Sequence, residues 1–298
     1  MRQVRYFLEA MGVWSIYHFF NSLPMDIASS LGGWLGRTVG PLLPVNAIGD
    51  ANIAASLPHL TSSERKAILL EMWDNLGRTV AEFPHMYRLN KKNYAKRITV
   101  EGGEYLQMVT QREKEGKPSL LFSGHFANWE VYLKALYESG CLVASLYRKA
   151  NNPFVDRLIQ EVRRPYQRTA IPKGDSGMKE WVKSVRKAIP VALMMDQKAN
   201  QGMDIPFFGR PAKTAPALAI LALRYDCAIF PVNMVRLGRS AHFKIIVSPP
   251  MVITKRGNEQ QDTVLLLTQI NAFLEACVRA NPGQWFWIHN RWKKKPGN

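Results

Sequence analysis

A histidine and a glutamate five residues apart, just after an apolar run, are the residues in this chain best placed to move a proton. The run Ser119-Leu-Leu-Phe-Ser123 reads as a buried strand, and Gly124-His-Phe-Ala-Asn-Trp-Glu130 follows it directly. On one continuous helix His125 and Glu130 would be separated by about 500°, which leaves them about 140° off a common face. They meet only if His125 lies in a strand-to-helix loop and Glu130 in the first helical turn. A carboxylate beside an imidazole fixes its tautomer and raises its basicity, as a general base acting on a hydroxyl requires. No Ser or Cys nucleophile is needed if the acceptor's own hydroxyl attacks. Gly124 gives the backbone a tight turn and leaves room for substrate at the strand end. The competing reading is a capping Asn128 and a hydrogen-bonded loop histidine of no catalytic use.

Other chemistries lack their residues. The chain has no G-x-x-x-x-G-K-[ST], no G-x-G-x-x-G after a strand, no G-x-S-x-G and no H-E-x-x-H. Its six histidines stand singly and its three cysteines, Cys141, Cys227 and Cys277, form no CxxC, so neither a metal site nor a disulfide framework is expected. No metal or resident cofactor is called for.

Cations cluster just downstream. Between Leu146 and Lys187 eleven Lys and Arg face four Asp and Glu, a local excess of seven positive charges. The planar forks of Arg148 and Arg163 suit bidentate phosphate binding, whereas Lys179, Lys183 and Lys187 read as a solvated helix face. Asp196 ends the apolar run 191–195, which points it toward the same cleft rim as His125; an Arg–Asp pair is the simpler use for it. Gly209 and Thr214 precede a helical pattern starting at Ala215, where free N–H groups favour an anion or Thr214 caps the helix.

These residues need a scaffold that brings strand ends together. Strands are expected at 98–101, 119–123, 142–147, 190–195, 228–235 and 243–247, and helices at 62–89, 104–115, 129–139, 155–166, 178–188, 215–225 and 263–280. Strands alternating with helices of about ten residues indicate an α/β fold, a central mostly parallel sheet flanked by helices. The expected division is 1–48 as N-terminal membrane anchor or interfacial helices and 49–298 as the α/β catalytic domain. The N-terminal stretches 7–24 and 27–43 are apolar and aromatic, but Glu9, His18, Asp26 and Arg37 interrupt them. An interfacial anchor fits better than a cleaved signal. The formal charge of +17 asks for a polyanionic partner, and the mixed basic and aromatic tail 291–295 suits an anionic membrane surface. No RNA-binding aromatic signature accompanies the charge, so nucleic acid is not expected.

The segment GHFANWE resembles the H-x-x-x-x-[DE] signature of the glycerolipid acyltransferases, and in this form the late acyltransferases of lipid A biosynthesis. Tyr147-Arg-Lys-Ala-Asn-Asn-Pro153 resembles that family's Y-R-P-x-x-N-P block, departing from it at Lys149. Asp196-Gln197 with Pro206-Phe-Phe-Gly-Arg-Pro-Ala-Lys-Thr214, and the tryptophan-rich block 282–293, match in order. The resemblance spans about residues 10 to 293 and implies acyl transfer from an acyl carrier protein thioester, whose phosphopantetheine is the donor's own, to a hydroxyl of a phosphorylated glucosamine-based lipid. It implies His125 as general base, Glu130 as its orienting partner, and Arg148, Arg163, Asp196, Gly209 and Thr214 as substrate- or phosphate-binding positions. It implies the cytoplasmic face of a bacterial inner membrane. Another lipid acceptor, such as a lysophospholipid or an aminolipid, and a non-catalytic basic membrane-binding protein remain the alternatives.

Overall fold

A computed structural model describes residues 2–89 and 91–292. The helices are α1 Arg2–Ser22, α2 Met25–Val39, α3 Asn46–Ser56, α4 Ser62–Glu82, α5 Lys91–Tyr94, α6 Gly103–Lys114, α7 Glu130–Glu138, α8 Pro153–Arg163, α9 Asp175–Arg186, α10 Ala217–Tyr225 and α11 Glu259–Ala280. The strands are β1 Ile98–Glu101, β2 Ser119–Ser123, β3 Ala144–Tyr147, β4 Thr169–Pro172, β5 Val191–Met194, β6 Met203–Phe207, β7 Arg210–Thr214, β8 Ala228–Arg236 and β9 Phe243–Val247.

Seven strands form one sheet in the order β1-β9-β8-β2-β5-β3-β4, and every pairing in it is parallel except β8 with β9. The α/β expectation therefore holds. Its physical basis is visible at the sheet centre, where β2 is buried at all five positions and paired on both edges. A strand covered on both faces by helices needs an unbroken apolar run rather than alternation. The C-terminal ends of β2, β3 and β5 lie side by side, and the site grows from those ends.

Three strands depart from the expected pattern. The edge strand β4 escapes the periodicity because it is four residues long, half-exposed and ends in Pro172. Residues 203–214, to which the sequence pattern assigns no element, form the separate two-stranded antiparallel sheet β6–β7. Pro206 and Pro211 face each other in its register and mask its strand character.

The N-terminal helices add only a small cluster to the core, Phe20 of α1 and Ala28 of α2 against Ala81 of α4. α2 crosses α4 closely enough that a Cβ on Gly36 would lie 2.0 Å from the Trp73 carbonyl oxygen, and one on Gly32 would lie 2.4 Å from that of Gly77. Small residues thus face α4, while Ile27, Trp34, Leu35 and Val39 point outward. Phe7, Leu8, Met11, Trp14, Ile16 and Phe19 are likewise exposed on α1. Among the described residues the helix long and apolar enough to cross a membrane is α11, whose Leu266, Leu267, Ile270, Leu274 and Val278 are in the core. Residue 48, the expected end of the N-terminal segment, falls inside α3.

Candidate active site

His125 sits in the loop between β2 and α7, as its sequence position requires, and its ring is 17% exposed. The loop is clamped from two sides. Ala127, with a left-handed φ of 44°, donates its N–H to the Gln284 carbonyl at 2.8 Å. The Ala127 carbonyl accepts from Asn75 Nδ2 at 2.8 Å and Thr79 Oγ1 at 3.1 Å on α4. Asn128 Nδ2 donates to Glu82 Oε2 at 2.7 Å, and its Oδ1 accepts the Glu130 N–H that opens α7. A backbone held in αL by non-glycine residues persists only when its surroundings over-determine it. These bonds supply that constraint.

The partner of His125 is not Glu130. Nδ1 lies 2.7 Å from Asp196 Oδ1, while the His125 backbone N–H donates to Asp196 Oδ2 at 2.8 Å. Trp285 Nε1 donates to the same Oδ2 at 2.9 Å. Gly124 permits the approach, since a Cβ there would lie 3.3 Å from Asp196 Cγ and 2.7 Å from the Phe126 ring. Burial alone would raise the Asp196 carboxyl pKa, but His125 and its two hydrogen bonds outweigh burial and hold it well below the usual carboxylate range. An ionised carboxylate only accepts, so Nδ1 carries the proton and Nε2 is left as an unprotonated acceptor. Gln197 Nε2 approaches that atom at 3.4 Å. Asp196, expected to hold an arginine or the acceptor, is therefore the group that fixes the imidazole.

Glu130 turns both carboxylate oxygens onto Arg163 at the end of α8: Nε to Oε2 is 2.9 Å and NH2 to Oε1 is 2.5 Å. This corrects two expectations at once. Glu130 does not orient His125, because its fork–fork geometry with Arg163 uses both oxygens. Arg163 is not a free phosphate ligand, because that pair occupies two of its three guanidinium nitrogens. The Glu130 charge offsets the desolvation of Arg163 and raises its pKa overall. Arg148, exposed just past β3, has no ion pair among the described residues and remains available to a phosphate.

Gly209 and Thr214 lie elsewhere. Phe208 and Gly209, both with positive φ, form the two-residue turn joining β6 to β7, eight residues before α10. Thr214 is fully buried, and its Oγ1 accepts from Arg291 NH2 at 2.8 Å while donating to the Ala212 carbonyl at 3.0 Å. α10 is capped at Pro216, so Thr214 neither caps it nor offers an anion site. Instead this hairpin and the tryptophan-rich segment clasp each other: Arg291 stacks over Phe207, which also packs against Trp285 and Trp292. The clasp carries Trp285 to Asp196. Residues 293–295 of the basic tail lie outside the described residues.

A cavity of about 220 Å³ opens before His125, bounded by Arg148, Arg163, Lys173 and Gln197 and by apolar wall residues. Trp129, Glu130 and Ile159 also line a second, almost wholly apolar groove between α1, α4 and α8, whose other walls include Ile16, Val80, Phe83 and Leu158. α1 is tied to this region by Asn152, the N-cap of α8, whose Nδ2 donates to the Tyr6 carbonyl at 2.7 Å. Gln197 and Trp285 lie within matched family blocks and Lys173 within the cationic segment, but no spacing rule connects Trp285 to a carboxylate 89 positions earlier.

An imidazole with an unprotonated Nε2 at a cavity that shares walls with an apolar groove is suited to deprotonate a hydroxyl on a lipid. The family model described as bacterial lipid A biosynthesis acyltransferase matches residues 1–294. The chain belongs to this family. It is similar to the lipid A biosynthesis lauroyltransferase of Escherichia coli strain K12, at 23% identity over 98% of this chain and 93% of the relative. It is similar to a lipid A biosynthesis acyltransferase of Haemophilus influenzae, at 23% identity over 93% of this chain and 86% of the relative. The palmitoleoyltransferase of the same pathway from E. coli K12 is 22% identical over 98% of this chain and 93% of its own length. In this lipid A acyltransferase, His125 and Asp196 are hydrogen-bonded to each other at the strand ends that build the cleft.

Proposed function

We propose that this enzyme transfers a fatty acyl chain from an acyl carrier protein thioester to a hydroxyl of a phosphorylated, already acylated glucosamine lipid at the cytoplasmic face of a bacterial inner membrane. The observation that carries the reading is His125, with Nδ1 bound to Asp196, in the wall of a cavity that shares Trp129, Glu130 and Ile159 with an apolar groove. His125 Nε2 takes the acceptor hydroxyl's proton as the oxygen attacks the thioester carbonyl carbon. The C–S bond breaks when the tetrahedral intermediate collapses, and the proton held on Nε2 passes to the leaving thiolate. Products are the ester and a free thiol, and Asp196 remains ionised throughout as the counter-charge to the imidazolium.

The groove supports an aliphatic ligand and Arg148 a phosphate-bearing one. The exposed aromatic and aliphatic side chains of α1 and α2 support a membrane surface, since contiguous apolar exposure of this kind marks an interaction face. The test is transfer by the purified full-length chain, read by mass spectrometry of the lipid product with phosphorylated and dephosphorylated acceptors. His125→Ala should lower turnover by roughly 100- to 10,000-fold. Unchanged turnover in that variant, or no preference for the phosphorylated acceptor, removes the corresponding part of the reading.

A further inference from the structure

The His125 cavity has a second neighbour on the side away from α1. Leu146, Lys173, Leu193, Met194 and Gln197 line both the central cavity and a further one of about 220 Å³ between the end of β5, α9 and α10. Two cavities therefore adjoin the one that holds His125, and those two share no wall residue with each other. A transferase joining a thioester to a lipid hydroxyl must admit two long reactants to one base from different directions, and the two flanking cavities provide for that.

They differ in chemistry. The α1-side groove has walls of Val, Ile, Leu and Phe and sits beside the exposed apolar face of α1. The α9-side cavity is lined in part by Trp181, which is 4% exposed; its indole Nε1 lies buried behind that wall with no hydrogen-bond acceptor. A buried donor without an acceptor is costly, and a hydrocarbon chain would leave it so, whereas an amide carbonyl would satisfy it. The surroundings are cationic. Lys179, Lys183, Arg186 and Lys187 are exposed on and just past α9, and Lys173 and Lys198, exposed at the cavity itself, add to them. Lys179 and Lys183 are one turn apart on the same helix face, and exposed Glu180 beside them, 3.5 Å from Lys183 Nζ, leaves the surface net positive.

We propose that the α9–α10 cavity receives the pantetheine arm of the thioester donor, with Trp181 Nε1 donating to an arm amide carbonyl and the basic face of α9 receiving an acidic carrier protein. This rests on the thioester-donor reading above. It assigns the α1-side groove to lipid chains and makes the outer face of α9 the landing surface for the carrier.

The experiment compares KM values of the full-length enzyme for three donors bearing the same acyl chain: the carrier-protein thioester, acyl-coenzyme A and S-acyl-N-acetylcysteamine. The variants are Trp181→Phe, which keeps an aromatic ring and removes the N–H, and Lys179→Glu/Lys183→Glu on the surface. Trp181→Phe should raise KM about 2- to 10-fold for both donors with a complete arm, and less for the truncated donor. The double charge reversal should raise KM at least about tenfold for the carrier-linked donor, less for acyl-coenzyme A and least for the truncated one. Activity with the truncated donor also reports that each variant is folded. Equal effects on all three donors, or a rise in acceptor KM instead, overturns the assignment and gives the cavity to the acceptor. Failure of the wild-type enzyme to use any of the three thioesters overturns the donor reading itself, and this inference with it.

Discussion

Asp196 decides which nitrogen of His125 is basic. An ionised carboxylate at 2.7 Å from Nδ1 forces the proton there, and the Trp285 indole and the His125 backbone N–H keep the carboxylate oriented. Asp196→Asn can present its amide N–H to Nδ1, which moves the imidazole proton to Nε2 and removes the base. Turnover should fall by about 1,000- to 10,000-fold with folding retained, measured as kcat beside a thermal melt. Glu130→Gln keeps one acceptor for Arg163 and does not touch His125, so its loss should be nearer tenfold; a loss equal to that of Asp196→Asn would reinstate Glu130 as the partner of His125. The contrast shows what spacing can reveal. His125 was legible because it ends a buried apolar run, and Glu130 because it lies within a helical turn of the loop. The pairing itself was not, since Asp196 is 71 positions away and only the parallel β2–β5 register brings the two strand ends together.

The loop carrying His125 is held by elements that never reach the cavity. Glu82, fully buried at the end of α4, accepts from Ser29, Asn128 and Arg236, and Arg236 also donates through Nε to Asn75 at 2.8 Å. Glu82→Ala would leave a buried guanidinium uncompensated, at a cost of about 3–5 kcal/mol. Melting should drop by roughly 10 °C. An unshifted melt would mean that the pair contributes no net stability. The α1–α4–α8 groove makes a separate prediction: Val80→Trp and Ile16→Trp, at exposed groove positions, should bias transfer toward shorter acyl chains in a mixed-donor competition. An unchanged chain-length profile would mean that the groove holds no acyl chain. Helices such as α4, α6 and α11 were legible from their periodicity. The β6–β7 hairpin was not, because its two prolines mask its strand pattern and Phe207 is buried only by the tryptophan-rich segment some 80 residues later.

At the scale of the molecule, the exposed side chains of α1 and α2 form a face unlike the rest of the surface, with Leu8 60%, Trp14 40% and Trp34 54% exposed. Replacing Phe7, Leu8, Trp14 and Trp34 together by Ser should release the protein from vesicles containing anionic lipid without lowering its melting temperature, as followed by flotation; retained binding would mean that this face is not the membrane contact. Acid sensitivity is the other global property the fold sets. His289 packs edge-on to Trp285 and flat against Phe286, its Nε2 has no hydrogen-bond partner, and burial pushes its pKa from 6.5 down to about 4. Between those values the unfolded chain binds a proton that the folded chain refuses, so stability falls as pH drops from about 6.5 toward 4. At pH 5 the loss from this residue is about 2 kcal/mol, or about 4–8 °C in melting temperature. The depressed carboxyl of Asp196 acts in the same direction at lower pH, since its contribution is present above the ordinary carboxylate range and lost below it. His289→Phe keeps the aromatic stacking and has nothing to protonate. Its melting temperature should therefore change much less than that of the wild type between pH 7.5 and pH 5, and an identical pH slope in the two proteins would show that the acid lability comes from other groups.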